Sequence, residues 1–288
     1  VSRLLPLAGP ARPDPSLPLV VSYGAGVDST AVLVGLAARG IRPDYVLFAD
    51  TGSEHPETYD FLPVIDAWLA SVGFPRLTIV RNRSPRTGYV SLEVNCCSNE
   101  TLPSQAFRGG QPGGGACSAR WKHEPMDRWL FRAGVKQRVR AIGYDNGKQD
   151  RKRAGRGSGE AKKHKRDLFW YPLQDWGWDR ARCEQEIAAA GLPVPRKSSC
   201  FFCPAMKAPE IRDLAAKHPA LLRRAIQMEN GARAGKHGLR SVKGLGRSFS
   251  WGAMAEAEGL LVGVAVEAVA PTAQGAGAAF LLERTTLS

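Results

Sequence analysis

Between residues 17 and 80 the chain alternates short apolar runs with amphipathic stretches, and no other feature restricts its fold as much. Residues 17–23 follow a proline-rich lead and are short and largely apolar, the pattern of a buried strand. A glycine-bearing turn occupies residues 24–27. A helix is then predicted over 29–39, with Asp28 as its N-cap, Val32, Leu33, Leu36 and Ala37 on one face, and Gly40 as its stop. Residues 44–49 predict a second strand, 57–71 a second helix that Pro63 weakens or kinks, and 77–80 a third strand. This order requires crossover connections. The predicted fold class is therefore α/β, with a doubly wound, mostly parallel, Rossmann-like sheet.

Farther along, residues 81–116 are rich in Gly, Pro, Ser and Asn and read as a long loop or insertion. Residues 120–131 predict a helix and 139–143 a further strand. Residues 148–167 carry nine Lys or Arg against three acids. They read as a solvated loop, or as a mobile lid over phosphates. Helices are predicted over 179–190, 209–217 and 220–232, and no internal repeat is visible. The expected organisation is a nucleotide-binding α/β domain over 1–175, with insertions at 81–116 and 148–167. A helical, cysteine-bearing C-terminal region over 176–288 follows it.

A chain of 288 residues can bury a full core, and 43% apolar residues argue against wholesale disorder. The net charge of +13 fits either a generally basic surface or a nucleic-acid or nucleotide-phosphate partner. No apolar run approaches the ~20 residues of a spanning helix, and residues 1–18 lack a signal peptide's apolar core. No membrane partner is expected, and the expected location is the cytoplasm. There, six cysteines are expected to serve metal binding or chemistry rather than disulfides.

Residues 22–30, Ser-Tyr-Gly-Ala-Gly-Val-Asp-Ser-Thr, lie between the first strand and the first helix. Small residues there let the backbone approach a ligand, and the helix N-terminus favours an anion. Ser29 and Thr30 add hydroxyls, while Asp28 caps the helix, orients the loop or helps hold Mg²⁺ through water. A dinucleotide fingerprint needs glycine where Ser29 stands, and no Gly-Lys-Ser/Thr triplet of a kinase-type P-loop occurs.

The loop resembles that of the PP-loop ATP pyrophosphatases, SGGxDS followed by Ser or Thr. Gly26, Asp28, Ser29 and Thr30 match; Gly24 replaces the first serine and Ala25 the first glycine, leaving Ser22 or a backbone N–H to supply the lost contact. Phe48-Ala49-Asp50-Thr51-Gly52 with Pro56-Glu57-Thr58-Tyr59 resembles the DTG…PETY segment of the phosphoadenosine phosphosulfate (PAPS) reductase family. Cys117-Ser-Ala-Arg-Trp-Lys122, Ile142-Gly143-Tyr144 with Arg151 beyond, Tyr171-Pro172-Leu173 and Ser199-Cys200-Phe-Phe-Cys203-Pro204 follow in that family's order.

The resemblance implies an adenine nucleotide alpha hydrolase fold. It places adenosine near Phe48–Asp50 and phosphate near Arg120 and Lys122, with Ser22, Gly24, Gly26, Ser29, Thr30, Asp50, Thr51, Gly52 and Gly143 around the nucleotide. Asp28, Ser29, Lys122 and Arg120 become the candidate catalytic residues. For Asp50, a plain turn or cap role is the alternative. The family's C-terminal Glu-Cys-Gly-x-His motif has no counterpart after Cys203, so reductase chemistry from a tail thiolate is not expected.

Cys200 and Cys203 form a C-x-x-C pair able to grip one metal from a tight turn. With Cys117 and Cys97 (or Cys96 in its place) they give four sulfur ligands, suiting an iron–sulfur cluster or, alternatively, Zn²⁺. That layout resembles assimilatory adenosine phosphosulfate reductases and the DNA phosphorothioation ATP pyrophosphatases. Cys183 reads as a small buried hydrophobe. His55 and His123 read as phosphate contacts or as ordinary turn and surface residues.

Together these features predict an ATP- and Mg²⁺-dependent pyrophosphatase that adenylates an acceptor. The chemistry expected is sulfur transfer or nucleic-acid modification, with DNA, RNA or a sulfur-donor protein as partner. Two other classes remain open. One is a non-catalytic nucleotide- or nucleic-acid-binding subunit with a structural metal site; the other is a nucleic-acid binder indifferent to ATP.

Overall fold

A computed structural model describes residues 12–83, 88–89, 91–103, 117–161, 166–236, 238–239 and 242–261. The first elements are β1 (Leu19–Tyr23), α1 (Val27–Ala38), β2 (Tyr45–Asp50), α2 (Pro56–Ser71), β3 (Leu77–Arg81) and α3 (Leu92–Ser98). A π-helical turn (Ala119–His123) leads into α4 (Glu124–Arg132), followed by β4 (Arg138–Ile142), α5 (Lys148–Ala161), β5 (Asp167–Trp170) and α6 (Pro172–Asp175). The last helices are α7 (Arg180–Ala189), α8 (Ala208–Lys217), α9 (Pro219–Ala234) and α10 (Trp251–Ala257).

These elements divide into two compact units. The first takes Val1–Ala49, Pro56–Val80 and Met126–Ser198; the second takes Asp50–His55, Arg81–Pro125 and Ser199–Ser288.

In the first unit the strands form a five-stranded parallel sheet in the order β3-β2-β1-β4-β5, bearing out the predicted fold class. Val20 pairs in register with Tyr45 of β2 on one side and Arg140 of β4 on the other. The chain starts mid-sheet, runs outward to β3 and then returns to β4, so the strand order reverses between β1 and β4. Ligands of open α/β sheets bind at such a reversal, beyond the carboxyl ends of the strands. Alternation along β1 sends Leu19, Val21 and Tyr23 into a core with Val32, Leu33 and Leu36 of α1. Val20, with Leu47 and Ala49 of β2, packs on the other face against Met126 and Leu130 of α4. Burial on both faces is the reason β1 reads as a nearly continuous apolar run.

The division differs from the boundary expected at residue 175, because α6 and α7 pack on α1. Trp176 lies so close to α1 that a Cβ on Gly35 would sit 2.2 Å from its ring. The guanidinium of Arg39 lies over the same indole, 4.0 Å from the ring centroid. Strand β5 had no clear signal because it opens with Asp167 directly after a basic run. Its charge is matched inside the unit: Arg138 and Arg140, two apart on β4 and both buried, pair with Asp167 and with Asp127 of α4.

Three further expectations are corrected. The N-cap of α1 is Gly26, with extended backbone (φ −110°, ψ 177°), and Asp28 belongs to the first helical turn. The stretch expected as a loop from residue 81 contains α3, whose cap is Ser91 accepting from Val94 N. The basic stretch from Lys148 forms α5, started by the bond from Arg151 N to Gly147 O and anchored by buried Ala154.

The second unit packs α3, α8, α9 and α10 around Phe201, Phe202 and Trp251. Glu229 of α9 is fully buried there. Its carboxylate accepts from Leu245 N (2.7 Å), Trp251 N (3.0 Å), Gly252 N (3.3 Å) and the Ser250 hydroxyl. Helix α10 depends on this distant partner, which is why its local sequence gave no reading. Among the described residues, no helix is long and apolar enough to cross a membrane.

Candidate functional site

In the first unit, the segment Gly24–Thr30 joins the carboxyl end of β1 to α1 and turns around the hydroxyl of Ser29. That oxygen accepts from Gly24 N (3.1 Å) and Gly26 N (3.3 Å) and donates to Gly26 O (3.1 Å). Two backbone N–H groups thus converge at the start of a twelve-residue helix, beside its unsatisfied first-turn donors. Ala25 holds φ at +59°, a left-handed conformation that costs an L-residue about 1–2 kcal/mol. Glycine, the residue of the pattern this loop resembles, would adopt it freely.

Gly143 follows β4 and closes against the same turn. A Cβ at that position would lie 2.6 Å from Ser29 N and 2.8 Å from the carbonyl carbon of Asp28. Only glycine lets β4 end here. The Asp28 carboxylate, 26% exposed, meets Arg180 at 3.2 Å. Burial pushes its pKa above the ordinary carboxylate value; Arg180 opposes this, while Asp145 and Asp150 add to it.

Two expected loop contacts point elsewhere. Thr30 is fully buried and its hydroxyl lies 3.2 Å from the Tyr23 hydroxyl, beneath the loop. Ser22 falls on the sheet face opposite Tyr23, with its Oγ buried and without a hydrogen-bond partner among the described residues.

The second unit collects the DTG segment, the basic motif and the thiols. Asp50 is buried, accepting from Gly52 N (2.8 Å) and pairing with Arg81 Nε (2.8 Å). This is the turn role weighed against adenosine binding. Residues 53–55 pair with 199–201 through His55 N to Ser199 O (3.2 Å) and Phe201 N to Ser53 O (3.0 Å). That pairing brings the carboxylate of Glu54 to Lys122 Nζ (2.8 Å), the Thr51 hydroxyl (3.2 Å) and Cys200 Sγ (4.0 Å).

Burial alone would lower the pKa of Lys122. Glu54, joined by Cys200 and Cys203, outweighs it and raises the ammonium above its ordinary value. Lys122 is therefore engaged by Glu54, whereas Arg120 stands exposed. His55 is fully buried and His123 exposed. Glu54 is the residue that sequence reasoning missed; its only signal was a place two residues after Gly52.

Cys96, Cys97, Cys117, Cys200 and Cys203 all belong to, or pack against, the apolar core of this unit, and all are free thiols. The turn joining the C-x-x-C pair is closed by Cys203 N to Cys200 O at 3.0 Å. Burial raises the thiol pKa of Cys96, Cys97, Cys200 and Cys203. A donor set drawn from these thiols would be sulfur alone, the kind an iron–sulfur cluster or zinc prefers. As the side chains stand, no three His, Cys, Asp or Glu among the described residues are arranged to hold a metal ion. Cys183 lies apart in the first unit, fully buried, as a small hydrophobe does.

Residues 18–181 match the family model described as the phosphoadenosine phosphosulfate reductase domain. The chain belongs to that family. Its match covers both β1 with its loop and the basic motif around Lys122.

Among solved structures, the chain is similar to phosphoadenylyl-sulfate (PAPS) reductase from Candida auris in a phosphate complex. Identity is 18%, over 64% of this chain and 76% of that one, with a TM-score of 0.40. It is also similar to the U34-tRNA thiolase NcsA from Methanococcus maripaludis with its 4Fe-4S cluster. There identity is 13%, over 75% of this chain and 71% of that one, with a TM-score of 0.41. No curated protein matches in sequence.

Proposed function

We propose that this family member is an ATP pyrophosphatase that adenylates an acceptor, with the β,γ-phosphates of Mg·ATP held at the 24–30 loop. The observation that carries the reading is the convergence of Gly24 N and Gly26 N at the start of α1. A phosphate oxygen in place of the Ser29 hydroxyl would meet the same donors. An acceptor oxygen attacks the α-phosphorus, the α–β P–O bond breaks, and pyrophosphate leaves with the electron pair. A sulfur or nitrogen nucleophile then displaces AMP.

The loop's share is positioning and charge neutralisation by N–H groups fixed before substrate arrives. Asp28 orients the loop through Arg180. From the basic motif, Arg120 is the cation open to an anionic group, and Lys122 joins it only on release from Glu54. The net charge of +13 favours a nucleic-acid acceptor.

For an iron–sulfur cluster, Cys117, Cys200, Cys203 and Cys97 (or Cys96) are the proposed ligands. Their shared apolar core and free thiols support the assignment. Bound there, a cluster would supply a soft metal centre for a sulfur species.

A second reading, a nucleotide-binding subunit that does not cleave ATP, is favoured by the strained Ala25 and by Gly24 in place of serine. Incubation with labelled ATP and Mg²⁺, with and without nucleic acid, separates the two. Release of pyrophosphate and AMP that Asp28→Ala abolishes is the expected result. ATP bound but intact would establish the binding subunit instead. Anaerobically purified protein is expected to be brown; a colourless, zinc-loaded protein would replace the cluster by a zinc site.

A further inference from the structure

At the carboxyl edge of the sheet in the first unit stands a pair of rings that the nucleotide reading does not use. Tyr144 lies one residue after Gly143, beyond β4, and Tyr171 directly follows β5. Because β4 and β5 are neighbours in parallel register, their ends present the two rings side by side. The rings stack with centroids 5.5 Å apart and planes only 4° from parallel. The other ring pairs among the described residues are tilted or edge-on, at 57° to 88°. This pair is flat, and both its members are only half-buried.

Hydrogen bonds fix the backbone that carries both rings. Tyr144 N donates to Ile142 O (3.0 Å), and Tyr171 O accepts from Gln174 N (3.0 Å), while the Gln174 side chain reaches Asp145 O (3.2 Å) and ties the two loops together. A platform held this way loses little freedom when something stacks on it.

Helix α5 packs against β5, and it starts at Lys148, four residues after Tyr144. Its Arg153, paired with Asp150 at 2.9 Å, acts electrostatically on the Tyr144 hydroxyl. Lys148, Arg151 and Lys152 in the same turns are exposed. Acids are present too, since Asp145 and Asp150 lie in this neighbourhood. Along residues 148–153 four cationic side chains accompany one acid, which favours α5 over the loop as the path for phosphates.

We propose that Tyr144 and Tyr171, with Lys148, Arg151 and Lys152 of α5, form a docking surface for single-stranded nucleic acid. An unpaired base stacks on the tyrosine pair and the flanking phosphates lie along the helix. The inference rests on the reading of the acceptor as a nucleic acid and adds where and in what form it binds. Flat aromatic faces beside exposed cations are what unpaired bases and their backbone require. In a duplex the base faces are already stacked and unavailable.

The test is fluorescence anisotropy with a short labelled single-stranded oligonucleotide, a duplex of the same sequence and an acidic peptide. The full chain, Tyr144→Leu, Tyr171→Leu, the matching Phe variants and a Lys148→Glu/Arg151→Glu/Lys152→Glu triple variant are compared. Each Leu variant should weaken single-strand binding about 5- to 100-fold, and the Phe variants, which keep the ring, should bind as wild type. The triple variant should flatten the dependence of log K on log salt. Photo-crosslinking of a 5-bromouracil oligonucleotide should map to Tyr144 or Tyr171.

Equal binding by the Leu variants, a duplex bound as tightly, or full competition by the peptide would overturn the proposal. Pyrophosphate release from ATP is measured on the same preparations. A wild-type protein that cleaves ATP but ignores the oligonucleotide removes this surface alone. Tyrosine-dependent binding without ATP cleavage removes the pyrophosphatase reading and leaves the surface standing.

Discussion

The Ser29 turn and the Glu54–Lys122–Cys200 network achieve order by opposite means. Around Ser29 the polar groups are mostly backbone, and their positions follow from a strand, a short turn and a helix contiguous in sequence. The Glu54 network is made of side chains brought in from residues 51, 122 and 200, and it places a carboxylate with no exposed surface against an ammonium. A backbone site tolerates changes of side chain as long as the small residues remain. A buried charged network fails when any one member is removed, because the partner stays desolvated.

The largest effect expected from this contrast is at Glu54. Glu54→Leu should cost about 3 kcal/mol of stability, near the low end for a broken buried pair because Lys122 keeps 29% exposure. Urea unfolding measures it, and adding Lys122→Met should restore most of the loss. A cost under about 1 kcal/mol, the range of a surface pair, would erase the distinction between the two regions.

Next is Gly143→Ala. Its new methyl would press on the backbone of Asp28 and Ser29, which cannot rotate away as a side chain does. About 1–3 kcal/mol of destabilisation is expected, together with loss of ATP binding by calorimetry. Wild-type affinity in this variant would mean the turn is not the phosphate site.

The smallest effect concerns pH. Burial raises the folded pKa of Asp28 above the ordinary carboxylate value, so the folded chain binds the proton more tightly than the unfolded one. Stability from this group is therefore lost as pH rises from the ordinary carboxylate range through the raised value. Asp28→Asn should show a shallower decline over that window in melts at stepped pH. The difference is well under the full shift, because Asp28 is partly exposed and Arg180 opposes burial.

The sequence carried the first region well and the second poorly, for the same physical reason. Gly24, Gly26, Ser29 and the helix behind them lie within one strand–turn–helix unit, and periodicity and small residues report such a unit directly. Even there the cap lies two residues before the expected Asp28, because Asp28 and Gly26 are both good N-caps and only the backbone angles separate them. Its place in the loop makes Thr30 look like a ligand contact, but its partner Tyr23 lies seven residues back across the strand end. Lys122 was found as a cation, yet its partner Glu54 is set by the pairing of residues 53–55 with 199–201, which no local pattern announces. Strand β5 and helix α10 escaped similarly, since one depends on Arg138 and Arg140 and the other on Glu229.

Glu229 has a consequence of its own. Four donors from residues 245–252 share its one carboxylate, so those residues cannot detach singly without leaving a buried charge underserved. The corner of the second unit from Leu245 to α10 should accordingly open as one cooperative block with α9, not fray from its end, and exchange its amide hydrogens at a common rate.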